Sequence, residues 1–226
     1  MAFLLIIDTA LEQGYVGFFR NGEALGTLKN GIQKDHAAFV QKAIDELETT
    51  TKTSLQDLDA IAVVAGPGSY TGLRVGLATA KGLCYALDKK LILVNTLDVM
   101  AQAAIHASNG KDNYYVPMID ARRDDVFTGI YGHTGNRLST QEAVTVTAET
   151  FRSFSLDKAL VLSGSGAKKA AKTMQSDNVH ISNAQYDISD INHIAQEKYT
   201  DNAFADVAYS EPNYLKAFYS TAKTIQ

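Results

Sequence analysis

The 226-residue chain is short of three things: cysteine, positive charge and long apolar runs. Its single cysteine, Cys84, excludes an internal disulfide and favours a reducing compartment. The 21 basic and 25 acidic residues give a net charge of −4, which argues against a protein that binds nucleic acid through a basic surface of its own. The apolar run at residues 2–7 is too short for a signal peptide or a membrane span. We therefore expect a cytoplasmic protein with no membrane partner.

The chain also lacks the spacings of a catalytic metal or nucleophile site. Its five histidines are His36, His106, His133, His180 and His193. None has a second histidine four positions along a helix, so a two-histidine metal face is absent. His36 precedes a predicted helix, and we expect it to lie at the surface. Cys84 falls among apolar neighbours and is predicted to be a core residue. We predict no catalytic and no metal-binding residues.

The order of predicted elements occurs twice. Residues 3–7 form a buried strand that ends in Asp8, and two further strands flank Asn21-Gly22. A helix from Asp35, a strand at 60–65, a helix to Leu87, a strand at 91–94 and a helix from Thr96 follow. From Tyr115 the same order begins again, with Asp120 ending its first strand and a turn at Gly135-Asn136. The repeat predicts a duplication.

A duplicated α/β unit of this order predicts the ribonuclease-H-like fold of the actin, hexokinase and Hsp70 (ASKHA) group. We place the N-terminal half at residues 1–109 and a trimmed C-terminal half at 110–226. Proteins of that group hold ATP between the two strand-end carboxylates and the hairpins that follow them. The fold alone does not fix the activity.

The hairpins of this chain are poor phosphate sites. The first glycine after Asp8 is Gly14, which is late for backbone N–H groups to approach phosphate oxygens. The second hairpin, residues 120–125, has no glycine and three acidic residues. Arg122 and Arg123 either bind an anion or form a solvated ion-pair cluster with those carboxylates, and the second interpretation is favoured. We therefore expect a largely degenerate nucleotide cleft.

The segment GPGSYTGLRVG at residues 66–76 links a predicted strand to a predicted helix. It is not a Walker A motif, because Leu73 and Arg74 stand where Lys and Ser/Thr are needed. The hydroxyls of Ser69 and Thr71 either hold an anion or cap the helix, and capping is favoured. Gly72, Gly76 and Ala80 recur every four residues and predict a smooth groove. That groove packs either on this chain's own elements or on a helix of another protein, and the pattern leaves both open.

Five features together resemble the TsaB (YeaZ-like) family: GPGSYTGLRVG, IIDTA at residues 6–10, the isolated His36, IDAR at 119–122 and PNYLK at 212–216. The likeness runs from residue 3 to 216. Members of that family are bacterial proteins that help to make threonylcarbamoyladenosine, the modified base beside the anticodon of tRNAs that read codons starting with A. They look like shortened relatives of the catalytic subunit TsaD. The resemblance implies a tRNA-modification subunit without that subunit's metal and nucleotide chemistry.

The resemblance also implies a mechanism by assembly. The N-terminal helices would pair with those of a TsaD-like subunit, and a TsaE-like ATPase would dock on the heterodimer. The chain alone would bind no cofactor, since ATP, metal and threonylcarbamoyl-AMP would be handled by partner subunits. The tRNA would be the substrate of the complex, and a homodimer through the same face is compatible with the pattern. The candidate interface residues are Phe39, Gly72, Leu73, Arg74, Gly76 and Leu77.

Two alternatives stay open. In the first, the chain is a stand-alone enzyme of the same fold, such as an ATP-dependent phosphotransferase or a glycoprotease-like protein. In the second, it is a self-assembling binding module with no role in tRNA modification. The tail after Lys216, with Phe218 and Tyr219, departs from the family pattern and is assigned no function.

Overall fold

The computed structural model describes residues 2–32, 35–109 and 111–216. The tail after Lys216, with Phe218 and Tyr219, lies outside the described residues, as does position 110, where the predicted second half begins. Within the described ranges, no helix combines the length and the apolar character that a membrane crossing requires.

The N-terminal half is built on a five-stranded sheet. Its elements are β1 (Phe3–Asp8), β2 (Gly14–Arg20), β3 (Glu23–Asn30), α1 (His36–Thr51), β4 (Ala60–Val64), α2 (Tyr70–Leu87), β5 (Lys90–Val94) and α3 (Thr96–Ala107). The strand order is β3-β2-β1-β4-β5, in which β1 pairs antiparallel with β2 and parallel with β4. The unbroken apolar runs of β1 and β4 are buried throughout, as strands covered on both faces require.

The C-terminal half repeats this plan. Its elements are β6 (Tyr114–Asp120), β7 (Asp125–Thr128), β8 (Glu142–Thr145), α4 (Arg152–Asp157), β9 (Leu160–Ser163), α5 (Ala167–Met174), β10 (Val179–Ile181) and α6 (Ile188–Thr200). The order β8-β7-β6-β9-β10 has the same parallel and antiparallel pairings as the first sheet. The predicted duplicated ribonuclease-H-like α/β fold is therefore confirmed.

One predicted hairpin differs. The sequence places a single turn at Gly135-Asn136 between β7 and β8, but residues 129–141 belong to neither strand and form an excursion of their own. Tyr131 bridges back to Tyr115 and forward to Arg137. The fully buried Tyr131 ring and the 2.8 Å hydrogen bond from its hydroxyl to Asp98 hold this excursion against α3. The predicted turn exists, but it closes the excursion rather than the β7–β8 pair.

The two halves exchange their last helices. Helices α1 and α2 cover the outer face of the first sheet, whereas its inner face packs against α6, with Ile191 in the same core cluster as Ile6. In turn, α3 packs on the second sheet, with Ala104 in the same core cluster as Val161. Helices α3 and α6 touch each other. Because α6 crosses to the first half, the loop before it lies at the end of β1.

Candidate functional site

The candidate site lies where the central strands of the two sheets end. The carboxyl ends of parallel strands meet at one edge of a sheet, and ligands of open α/β sheets bind there. In the first half this edge carries Asp8 and the glycine loop at residues 66–69. In the second half it carries Asp120 and the loop at residues 164–166. These are the positions that the sequence analysis assigns to a nucleotide cleft.

Asp8 is fully buried beneath Tyr186, a residue of the loop before α6. Its Oδ1 atom accepts a 2.8 Å hydrogen bond from the Ala10 N–H, and its Oδ2 atom accepts one of 2.8 Å from the Tyr186 hydroxyl. Burial raises the pKa of this carboxyl from 3.8 to about 6, although both hydrogen bonds and nearby His36 act to lower it. Both carboxylate oxygens are thus engaged within the chain.

His36 is buried at the start of α1, so the prediction that it lies at the surface is wrong. Its Nε2 atom lies 3.0 Å from the Leu11 carbonyl oxygen, and its ring lies over Gly14, where a Cβ atom would come within 2.9 Å of Nδ1. The Nδ1 atom has no hydrogen-bond partner in the described structure. His36 therefore holds the β1–β2 hairpin against α1, and Gly14 leaves the space that the ring fills.

The glycine loop binds other parts of this chain. The Ser69 side chain caps α2 by accepting from the Gly72 N–H, which confirms the predicted cap for Ser69, whereas Thr71 lies within the first turn of α2. The Ser69 N–H donates to the Ala10 carbonyl at 2.7 Å. Gly66 has a φ of 114°, and a Cβ atom there would lie 2.8 Å from the Asn213 carbonyl oxygen. The loop is therefore filled by the first hairpin on one side and by the segment before Lys216 on the other.

The groove on α2 also faces inward. A Cβ atom on Gly72 would overlap the Thr9 carbonyl oxygen, and one on Gly76 would lie 2.5 Å from Thr9 Oγ1. The same hydroxyl donates to the Gly72 carbonyl at 2.7 Å. Leu73 and Leu77 are buried as well. These four candidate interface residues therefore pack inside the chain, so of the two alternatives left open for the groove the structure has the one in which it packs on this chain's own elements.

The other two candidate residues have different surroundings. Phe39 is half-buried and packs on the core between α1 and the sheet. Arg74 is exposed, with its guanidinium carbon 4.0 Å from the centre of the Tyr70 ring and its Nε–H donating to the Tyr214 hydroxyl at 3.0 Å. The Tyr70 and Tyr214 rings lie 5.3 Å apart. Both tyrosines lie in motifs that are visible in the sequence, but their contact is not predictable from it, since Arg74 and Tyr214 lie 140 positions apart.

The second half has a solvated strand end. Asp120 is exposed and pairs with Lys169 at 2.7 Å, and this ammonium group lowers the pKa of the carboxyl. Asp125 pairs with Lys216 at 2.6 Å. The expected ion-pair cluster is present, but its cations are two lysines from distant segments rather than Arg122 and Arg123. Periodic patterns give no signal for such long-range pairs.

The groups that a nucleotide cleft needs are thus engaged within the chain. A phosphate at the glycine loop would have to displace the Ala10 carbonyl from the Ser69 N–H, and a metal ion at Asp8 would have to displace the Tyr186 hydroxyl. Among the described residues, no three His, Cys, Asp or Glu side chains are arranged to hold a metal ion. A metal-bound nucleotide at these positions would therefore compete with contacts made within the chain.

Comparison with known proteins shows the family. The family model described as TsaD, tRNA N6-adenosine threonylcarbamoyltransferase, matches residues 26–223. The tRNA threonylcarbamoyladenosine biosynthesis protein TsaB of Bacillus subtilis is 32% identical over 135 residues, which cover 60% of this chain and 57% of the relative. TsaB of Escherichia coli is 34% identical over 133 residues, which cover 59% of this chain and 56% of the relative. The chain thus matches just over half the length of these curated relatives.

A solved structure supports the same assignment at the level of the fold. A Pseudomonas aeruginosa protein described as similar to the peptidase YeaZ superimposes with a TM-score of 0.84 at 23% identity, covering 96% of this chain and 100% of that one. The matched family model covers most of the chain. The chain therefore belongs to the family whose model is described as TsaD, tRNA N6-adenosine threonylcarbamoyltransferase, and among its relatives it is similar to the curated TsaB proteins.

Proposed function

We propose that this chain is a non-catalytic partner subunit that binds and activates a TsaD-type catalytic subunit in bacterial tRNA threonylcarbamoyladenosine modification. One observation carries the proposal: the strand-end carboxylate and loop donors of the first half bind the chain's own Tyr186 and Ala10. On this proposal, ATP, metal and threonylcarbamoyl-AMP are handled by partner subunits, including a TsaE-like ATPase. The curated relatives are named for the biosynthesis of the same modified base.

The surface that we assign to the catalytic partner is the outer side of the first two helices. This α1–α2 face consists of Ala37, Ala38, Gln41, Ala78, Gly82 and Tyr85, all of which are exposed. Gln41 donates to Thr79 at 3.3 Å and joins the two helices, while Gly82 has no atom near the position of a Cβ. Small side chains on adjacent helices let a partner's helices approach closely. Tyr85, which is 86% exposed, adds the kind of aromatic contact that is enriched in interfaces.

The proposal moves the interface from the buried groove to the opposite side of α2. Of the predicted residues, Arg74 lies beside the α1–α2 face, and half-buried Phe39 lies on α1. A TsaD-type subunit belongs to the same family, so a heterodimer would pair related helices. A homodimer through the same face is the competing arrangement.

The test is co-purification of the full chain with a TsaD-type subunit. We expect Ala38→Glu and Ala78→Glu to weaken the complex at least tenfold, because each places a charge in a close helix contact. Ala107→Glu, at an exposed position on α3, is the matched control. Undiminished binding by both face variants would contradict the proposed surface. Turnover of ATP by the purified chain that is lost on Asp8→Ala would instead favour a stand-alone enzyme.

A further inference from the structure

A group of exposed cations lies on the second half. We name Arg122, Arg123, Lys168 and Lys172 the basic patch; all four are exposed. The arginines occupy the loop between β6 and β7, and the lysines lie one turn apart on α5. Lys169 joins the two elements, because its ammonium group donates to the Arg123 and Asp125 carbonyls at 2.9 Å each.

The nearby carboxylates do not neutralise this patch. Asp120 is paired with Lys169 at 2.7 Å and Asp125 with Lys216 at 2.6 Å, so Asp124 is the acidic residue left beside the arginines. Within the described residues, none of the ion pairs includes a side chain of the basic patch. The surface thus concentrates six cations against three carboxylates, although the whole chain has a net charge of −4. Because Lys169 and Lys216 take the carboxylates of Asp120 and Asp125, those carboxylates do not pair with the arginines as the sequence predicts.

We propose that the basic patch contacts the phosphate backbone of the tRNA on which the complex acts. This inference rests on the proposed function for the identity of the nucleic acid. Exposed, unpaired lysine and arginine side chains bind phosphates with release of condensed counterions. Among the described residues, no exposed large apolar side chain comes from the loop at residues 122–125 or from α5, so these two elements present cations rather than a membrane wedge or a stacking ring. The contact is therefore to the backbone and independent of base sequence.

The test is fluorescence anisotropy of a labelled tRNA transcript titrated with the full chain over a range of salt concentrations. The variants are Arg122→Gln/Arg123→Gln and Lys168→Gln/Lys172→Gln. Lys52→Gln/Lys90→Gln, at exposed positions of the first half, is the control with the same charge change. We expect each patch pair to weaken binding about tenfold at low salt and to reduce the slope of log affinity against log salt by about two, with the control unchanged.

Three results would overturn the inference: wild-type affinity in both patch variants, an equal loss in the control, or binding to phosphatidylserine vesicles but not to tRNA. Urea unfolding midpoints show whether each variant is folded, and glutamine at these exposed positions leaves the core untouched. Co-purification with the TsaD-type subunit is measured in parallel. If the wild-type chain fails to bind that subunit, the proposed function fails, whereas the anisotropy of the chain alone still decides the role of the patch.

Discussion

The hydroxyl of Tyr186 donates a 2.8 Å hydrogen bond to Oδ2 of Asp8 and so ties the loop before α6 to the end of β1. These residues lie 178 positions apart and belong to different halves of the duplicated fold. The bond exists because α6 crosses to the inner face of the first sheet and carries the preceding loop with it. A carboxylate at the place where related folds bind metal and phosphate is thereby buried under the chain's own side chain.

We expect Asp8→Asn to gain stability, relative to the parent chain, as the pH rises. Because the pKa of the Asp8 carboxyl is about 6 in the folded chain and 3.8 ordinarily, the folded state holds an extra proton between these values. Its contribution to stability is therefore full below pH 3.8 and is lost as the pH rises through about 6. The difference corresponds to at most about 3 kcal/mol near neutral pH. Asparagine does not ionise and escapes this loss.

Urea unfolding of the two proteins from about pH 4 to pH 8 measures this difference. Asp45→Asn, on the exposed side of α1, controls for the change in net charge. The burial argument would fail if the free-energy difference between Asp8→Asn and the parent chain were the same at both ends of the pH range.

We expect Tyr186→Phe to destabilise the chain by about 1–3 kcal/mol near neutral pH, because a buried carboxylate loses one of its two donors. The loss should shrink near pH 4, where the carboxyl of Asp8 is protonated and needs this donor less. Tyr209→Phe, at a side chain that is 85% exposed, is the matched control. Equal losses at the two pH values would indicate a packing role for the Tyr186 ring without coupling to Asp8.

The order of elements could be predicted from the sequence, because the apolar pattern of each strand and helix is local. The sequence places the strand Ala60–Val64 to within one residue at its C-terminal end. It also places the end of the following helix at Leu87. What an apolar pattern cannot show is which side of a helix faces a given neighbour. Gly72 and Gly76 share a side of α2 on any helical model, but only the register of α2 against Thr9 shows that this side faces inward.

The candidate site could be predicted only in part, for a related reason. Asp8 and Asp120 follow visible strands, so their place at the sheet edge was recognisable. Their partners Tyr186 and Lys169 come from distant segments, and Tyr186 reaches Asp8 only because α6 crosses to the first half. His36 was expected at the surface because the space that Gly14 leaves for its ring is a tertiary feature.

We expect the Cys84 thiol of the folded chain to react with a disulfide reagent about 1,000-fold more slowly than in urea at pH near 8. Burial raises the pKa of this thiol from 9.0 to about 12, so the reactive thiolate is far scarcer in the folded state. Cys84 is the single cysteine of the sequence, which makes the signal unambiguous. Reaction at the rate of the unfolded chain would show that the thiol is accessible and would contradict the core position.

Three glycines of α2 distinguish inward packing from an open groove. Gly72→Ala and Gly76→Ala should each lower the free energy of unfolding by about 1–3 kcal/mol, because the added methyl group meets Thr9. Thr9 cannot rotate away freely, since its hydroxyl donates to the Gly72 carbonyl. Gly82→Ala should instead raise stability by up to about 1 kcal/mol, because its outer side is open and alanine favours the helix. Urea unfolding compares the three variants, and a gain for Gly76→Ala equal to that of Gly82→Ala would mean that the groove is open after all.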